Sequence, residues 1–295
     1  MTKRLHESRK HDLVALAEEV VNHHSPTAGA TDLLRIAEEN DISIHFDQYG
    51  EEFDGVLEFA NARFHIHVNL TRSGKHDSER ARFTISHELG HFFIDEHRQA
   101  LMGGEAPHGS NCGLFDGADS TEELEADLFA ANLLMPPSRF LAALRVRETP
   151  LTAIKRLATT FRSSITATAI HYASIGANRC AIIRWNPDGS YGWPRIGKGY
   201  FADGFRRPLY AEGVEPLKDS ATGIVVAGIE SEADAVSTTA TMFSNVASGQ
   251  SRPYSKSHSG RVIFEFLVEA GGLQRVPRAC GRCAAPFTGK NGPAP

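Results

Sequence analysis

The tightest constraint on this chain is a pentapeptide, His87-Glu88-Leu89-Gly90-His91, set inside a run of helical period, ERARFTISHELGHFFIDEH. Histidines at i and i+4 project from one face of a helix, so both imidazoles can reach a single metal ion. Glu88 then stands beside that ion, placed to take a proton from water. A catalytic metal also needs a third protein ligand and an open fourth position. The chain must therefore fold so that a second segment delivers a donor to the open side of this helix.

The next helical run, Thr121–Met135, offers Glu122, Glu123 and Glu125. Pro136-Pro137 stops it, because proline cannot donate the helical hydrogen bond. Projection at about 100° per residue separates the three acids. Glu125 falls beside Asn132, away from apolar neighbours, and reads as a solvated carboxylate. Glu123 and Asp127 share a core-facing sector with Ala130 and Leu134. An unpartnered carboxylate there is costly, and metal ligation removes that cost. Glu122 competes less well, since the positive end of the helix dipole already accounts for an acid at the helix start. Asp127 is placed to accept a hydrogen bond from the non-ligating nitrogen of His87 or His91, fixing that ring. A capping and salt-bridge role is the plainer alternative for Glu123 and Asp127.

RFTISHELGH together with ELEADLFAANLLMP resembles the ImmA/IrrE family of metallopeptidases, within the wider gluzincin pattern of HExxH followed by ExxxD. The resemblance covers roughly residues 10–175. It implies an α+β fold: a minimal zincin-like metallopeptidase domain with a small helical segment resembling a helix-turn-helix. It also implies His87 and His91 as zinc ligands, Glu88 as general base and Glu123 as third ligand, with Mn2+ able to replace Zn2+ in vitro. The implied partner is a helix-turn-helix repressor, cut to switch on stress-response or mobile-element genes. Some larger members carry a C-terminal GAF-type sensory domain, and the second half of this sequence has no motif that matches one.

The rest of the chain reads as follows. Helices are expected over Asp12–His23 and, capped by Thr31 or Asp32, through Glu39. Strands follow at Ser43–Phe46, Gly55–Phe59 and Arg63–Asn69, read as a half-buried antiparallel sheet. Phe64–Asn69 is a candidate edge against which an extended substrate adds by backbone pairing. His65 and His67, on its polar side, read as a solvated strand face rather than second-metal ligands. The Gly-rich stretch between Arg98 and Ser120 is a long loop holding Cys112, whose thiolate would be able to close the metal's fourth position. An ordinary loop cysteine is the simpler reading. His171 and Tyr172 lie in a segment able to fold back over the cleft and donate to an oxyanion. An exposed His171 and a core-packed Tyr172 are the alternative.

These boundaries give a metallopeptidase domain over 1–138, a helical HTH-like segment over 139–175 and a β-rich or α+β C-terminal domain over 176–295, for which a sensory or regulatory role is one open reading. In the helical segment, Arg139, Arg145, Arg147, Lys155, Arg156 and Arg162 face one acid, Glu148. DNA binding and a packed subdomain with solvated arginines are both consistent with that pattern, and the second is favoured. Cys280 and Cys283 have zinc-knuckle spacing without a second pair, leaving a free thiol pair or a site completed by His258 or another subunit.

Composition sets the outer limits. With 31 basic and 36 acidic residues the formal net charge is −5, against a nucleic-acid-coating protein. No stretch approaches about 18 consecutive apolar residues, so no membrane partner is expected. The charged N-terminus lacks a signal-peptide core, and four cysteines are too sparse for a disulfide scaffold. The expected location is the cytoplasm. Two functions remain: a zinc endopeptidase of narrow specificity, or a DNA-binding regulator with a residual or structural metal site.

Overall fold

The computed structural model describes residues 5–25, 28–104, 120–145, 148 and 150–175, and the backbone of six strands beyond them. Side-chain capping sets where the helices begin. α1 (Glu7–His24) starts earlier than its apolar period, because His6 Nδ1 accepts the Ser8 N–H at 3.3 Å. Asp32 caps α2 (Leu33–Glu39) by accepting from Arg35 N–H at 3.1 Å. Thr31 does something else: its hydroxyl donates to the Leu133 carbonyl at 2.7 Å, tying the start of α2 to a distant helix.

Three strands follow, β1 (Ser43–Asp47), β2 (Gly55–Ala60) and β3 (Arg63–Asn69), in the order β1-β3-β2. β2 and β3 form the expected hairpin, with Asn61 and Ala62 both at positive φ as a two-residue primed turn requires. β1, however, pairs with β3 in parallel, so the sheet is mixed rather than antiparallel. β3 is consequently central, and the reading of Phe64–Asn69 as an edge is corrected: the edges are β1 and β2. Asn69 holds the β1–β2 connection in place. Its amide donates to the carbonyls of Gly50 and Phe53, and its Oδ1 accepts from the Tyr49 and Thr71 N–H groups. A fully buried amide so completely satisfied rigidifies the corner instead of costing stability.

After a short α3 (Leu70–Ser73) comes α4 (Glu79–Phe93), capped by Ser78 and buried along almost its whole length. Leu57, Phe64, Ile66 and Val68 close one side of the core. α4 breaks at Ile94 and α5 (Asp95–Met102) continues as a helix into the stretch read from sequence as loop. On the other side of α4 packs α6 (Thr121–Leu134), capped by Ser120 and itself covered by α1. α7 (Pro137–Ala142), α8 (Pro150–Phe161) and α9 (Ile165–Ile175) complete the core through Phe140, Phe161 and Ala169.

β4 (Cys180–Trp185), β5 (Tyr191–Ile196), β6 (Glu232–Asp234), β7 (Ser237–Thr238), β8 (Gln250–His258) and β9 (Val262–Glu269) pair antiparallel in the order β5-β4-β9-β8-β6, with β7 also on β8. Cys112, Cys280, Cys283 and the side chain of His258 lie outside the described residues. Among the described residues, no helix is long and apolar enough to cross a membrane.

α4 and α6 approach closely at Gly90. A Cβ there would meet Ala126 Cα and Phe129 Cδ1 at 3.2 Å and the Ala126 carbonyl at 3.3 Å. The Ala126 atoms are backbone and have little room to yield. Gly90→Ala should therefore push α4 away from α6, costing about 1–3 kcal/mol by overpacking. Urea denaturation checks this, and unchanged stability would show that the helices accommodate a methyl group.

Candidate metal centre

Gly90 brings α6 close enough for Glu123 to meet both histidines. His87 Nε2 lies 3.1 Å from His91 Nε2 and 3.1 Å from Glu123 Oε2, and His91 Nε2 lies 3.4 Å from Glu123 Oε1. Zinc–nitrogen and zinc–oxygen bonds of about 2.0–2.1 Å at tetrahedral angles put neighbouring donors about 3.3 Å apart. The three observed separations bracket that edge.

Asp127 gives the arrangement a direction. Its Oδ1 accepts from His87 Nδ1 at 2.9 Å, which places the ring proton there. His87 Nε2 then presents a lone pair toward His91 and the Glu123 carboxylate. A proton on His91 Nε2 can satisfy one of those contacts but not all. Three electron-rich atoms converging where two buried imidazoles meet a half-buried carboxylate suit a divalent cation, and His87, His91 and Glu123 could hold one.

Glu88 is buried on the same helix, against the first residue of β2. A Cβ on Gly55 would lie 2.4 Å from Thr84 Cγ2 and 2.8 Å from Glu88 Oε1. Glycine at position 55 therefore lets the sheet close directly on the Glu88 carboxylate.

Residues 37–171 match the peptidase family model described as the IrrE N-terminal-like domain. Over these residues the chain is similar to that peptidase domain. No curated protein matches the chain. Among solved structures, a Mycobacterium tuberculosis transcriptional regulator shares the fold with a TM-score of 0.56 at 14% identity, covering 89% of this chain and 78% of its own.

The IrrE-like domain supports its histidines with residues that helical projection did not find. Glu125 is not solvated. It is buried, and it accepts from Arg9 Nε at 2.9 Å and from Arg9 Nη2 at 2.6 Å. It also takes His97 Nε2 at 3.3 Å. The physical reason is that α1 packs over the polar side of α6, which a single-helix projection cannot register. His97, on α5, stacks at 5.1 Å from the His91 ring. Burial first, and then the nearby His91, push the His97 imidazole down to about 4, so a neutral ring lies beside the Glu125 carboxylate. No sequence signal marked Arg9, Gly55 or His97; only the pairing of distant segments reveals them.

His171 is not placed to donate to an oxyanion. It is buried, its Nε2–H donates to the Met135 carbonyl at 2.6 Å, and its ring stands edge-on to Phe140 at 4.9 Å. The exposed alternative is corrected as well. The reason is that α9 folds under the C-terminal end of α6, whose last carbonyl needs a partner. Tyr172 is buried within the hydrophobic core.

Two outcomes follow from this geometry. Asp127→Ala should weaken metal binding about 10–100-fold while leaving the three donors in place, measured by competition with a chromophoric chelator. Equal affinity would remove Asp127 from the site. Burial also pushes His171 down to about 4 from its ordinary 6.5. The unfolded chain thus binds a proton that the native state refuses between those values, and stability should fall as pH drops through that window. Urea denaturation at pH 7 and pH 5 should show a smaller loss for His171→Gln than for the native chain. Identical losses would place the acid sensitivity elsewhere.

Proposed function

We propose that the protein is a zinc-dependent endopeptidase of narrow specificity that acts in the cytoplasm on a regulatory protein, a helix-turn-helix repressor being the favoured substrate class. The observation that carries this reading is the convergence of buried His87 and His91 with the half-buried Glu123, with Glu88 alongside. The peptidase family match supports it. The repressor as substrate rests on the family resemblance alone.

His87, His91 and Glu123 would hold a divalent ion, which would supply Lewis-acid polarisation of an amide carbonyl and water acidified to near neutral pH. The Glu88 carboxylate accepts the proton of the attacking water and returns it to the leaving amine. Asp127 keeps the His87 ring oriented by holding its Nδ1 proton. β2 is an edge strand whose first residue touches Glu88, so an extended peptide pairing with β2 would pass the base.

DNA binding is the second reading, and the name of the structural neighbour, a transcriptional regulator, favours it. The basic residues of the helical segment weigh against it. Arg139 donates to the Ser25 carbonyl, Arg156 is paired with Glu148 and the Ala143 carbonyl, and Arg162 bonds Asp77. These contacts turn three of the six cations toward the protein.

The test is incubation of the full chain with a repressor encoded at a neighbouring locus, with Zn2+ or Mn2+, and mass spectrometry of the fragments. Glu88→Gln should bind metal as the native chain does and cleave about 10²–10⁴-fold more slowly. Cleavage at an undiminished rate by that variant would end the mechanism.

A further inference from the structure

The face of the sheet turned away from α4 carries a second concentration of metal-binding side chains. Strand alternation puts Ile44, Leu57, Phe64 and Ile66 on the inner face and His45, Glu58, His65 and His67 on the outer one. The parallel register sets His45 against His67, and the antiparallel register sets Glu58 against His65. Sequence showed His65 and His67 two residues apart on one strand. Only the pairing adds His45, twenty residues away.

His45 Nε2 and His65 Nδ1 are 3.3 Å apart, and the His45 ring stacks on His67 at 5.1 Å. His67 is already committed, with Nε2 3.3 Å from Glu58 Oε2 and Nδ1 3.1 Å from the Tyr49 hydroxyl. His45 and His65 share a single hydrogen bond between them. Their separation is the edge of a tetrahedral shell around zinc, about 3.3 Å for bonds of about 2.0–2.1 Å.

We propose that His45 and His65 are the donor pair of a second, exposed site for a borderline divalent transition metal, zinc by geometry, on the outer face of the β1-β3-β2 sheet. Two donors are preset there, against three between α4 and α6. Glu58, on the strand beside His65, supplies a third donor by turning from His67, and water completes the shell. Imidazole donors select zinc, copper and nickel over magnesium and calcium. The hydrophobic layer of the sheet separates this site from Glu88, so its occupant takes no part in hydrolysis. It would clamp the edge strand β1 to the central strand β3 and stabilise the native state by linkage. This inference is independent of the endopeptidase reading.

Metal-free full-length protein is dialysed against micromolar Zn2+, and bound zinc is counted by elemental analysis. His45→Asn/His65→Asn should bind one equivalent fewer than the native chain, with the same melting temperature in chelator and a smaller zinc-induced rise in it. His87→Gln/His91→Gln should lose a different equivalent, so failure at one site is distinguishable from failure at the other. Should the first double variant fold poorly, His45→Asn alone, at an exposed position, should weaken the second equivalent at least tenfold. Equal zinc content in the native and variant chains, binding only at millimolar zinc, or displacement by magnesium would each overturn the proposal.

Discussion

The contact between α4 and α6 at Gly90 is what the rest of the structure depends on. A metal centre assembled from two helices needs the helices near enough for a glutamate to reach two imidazoles. The missing Cβ supplies that room. Gly55 does the same on the other side, admitting β2 up to Glu88. The two glycines thus govern how tightly the site is enclosed, although neither contributes a functional group. Close enclosure matters chemically, because excluding water strengthens each electrostatic interaction inside.

Around the donors runs a set of polar contacts that reaches the far side of the fold. Asp127 holds His87, and Glu125 gathers Arg9 from α1 and His97 from α5. Glu125 would be costly to bury alone, and its bidentate contact with Arg9 offsets that cost. His97 in turn lies against His91. Through these contacts α1, far from the HExxH run in sequence, becomes part of the support for its second histidine. The helical segment after residue 139 contributes differently. Phe140, Phe161 and His171 form an aromatic cluster beneath the end of α6, and several arginines cap carbonyls or meet acids of the same chain.

Much of this was legible before any coordinates. The His87–Glu88–His91 spacing required a helix, and Asp32 was one of two recognisable caps for α2 because capping is a local hydrogen bond. Helical geometry grouped Glu123 with Asp127 on one face, but that face is only half-buried, and the polar side chains α6 buries are Glu125 and Asn132. Glu125 was misread for a related reason: projection tells which way a residue points, and not which element arrives there. The parallel pairing of β1 was hidden because alternation gives the face of a strand without giving its neighbour. His171 looked free because no local pattern shows that it reaches the Met135 carbonyl, thirty-six residues away in the chain.

The sequence by itself determined which side chains have metal-binding chemistry, the helix that presents two of them, and the family resemblance those motifs carry. Tertiary structure alone decided that Glu123 meets the histidines, that β2 and not β3 offers an edge beside Glu88, and that His45 joins His65. Periodicity and capping are set by residues within a few turns of one another, so they can be read from a string. Convergence on a common point depends on how separate elements pack, through backbone approach and strand register, and those distances exist only in the folded chain.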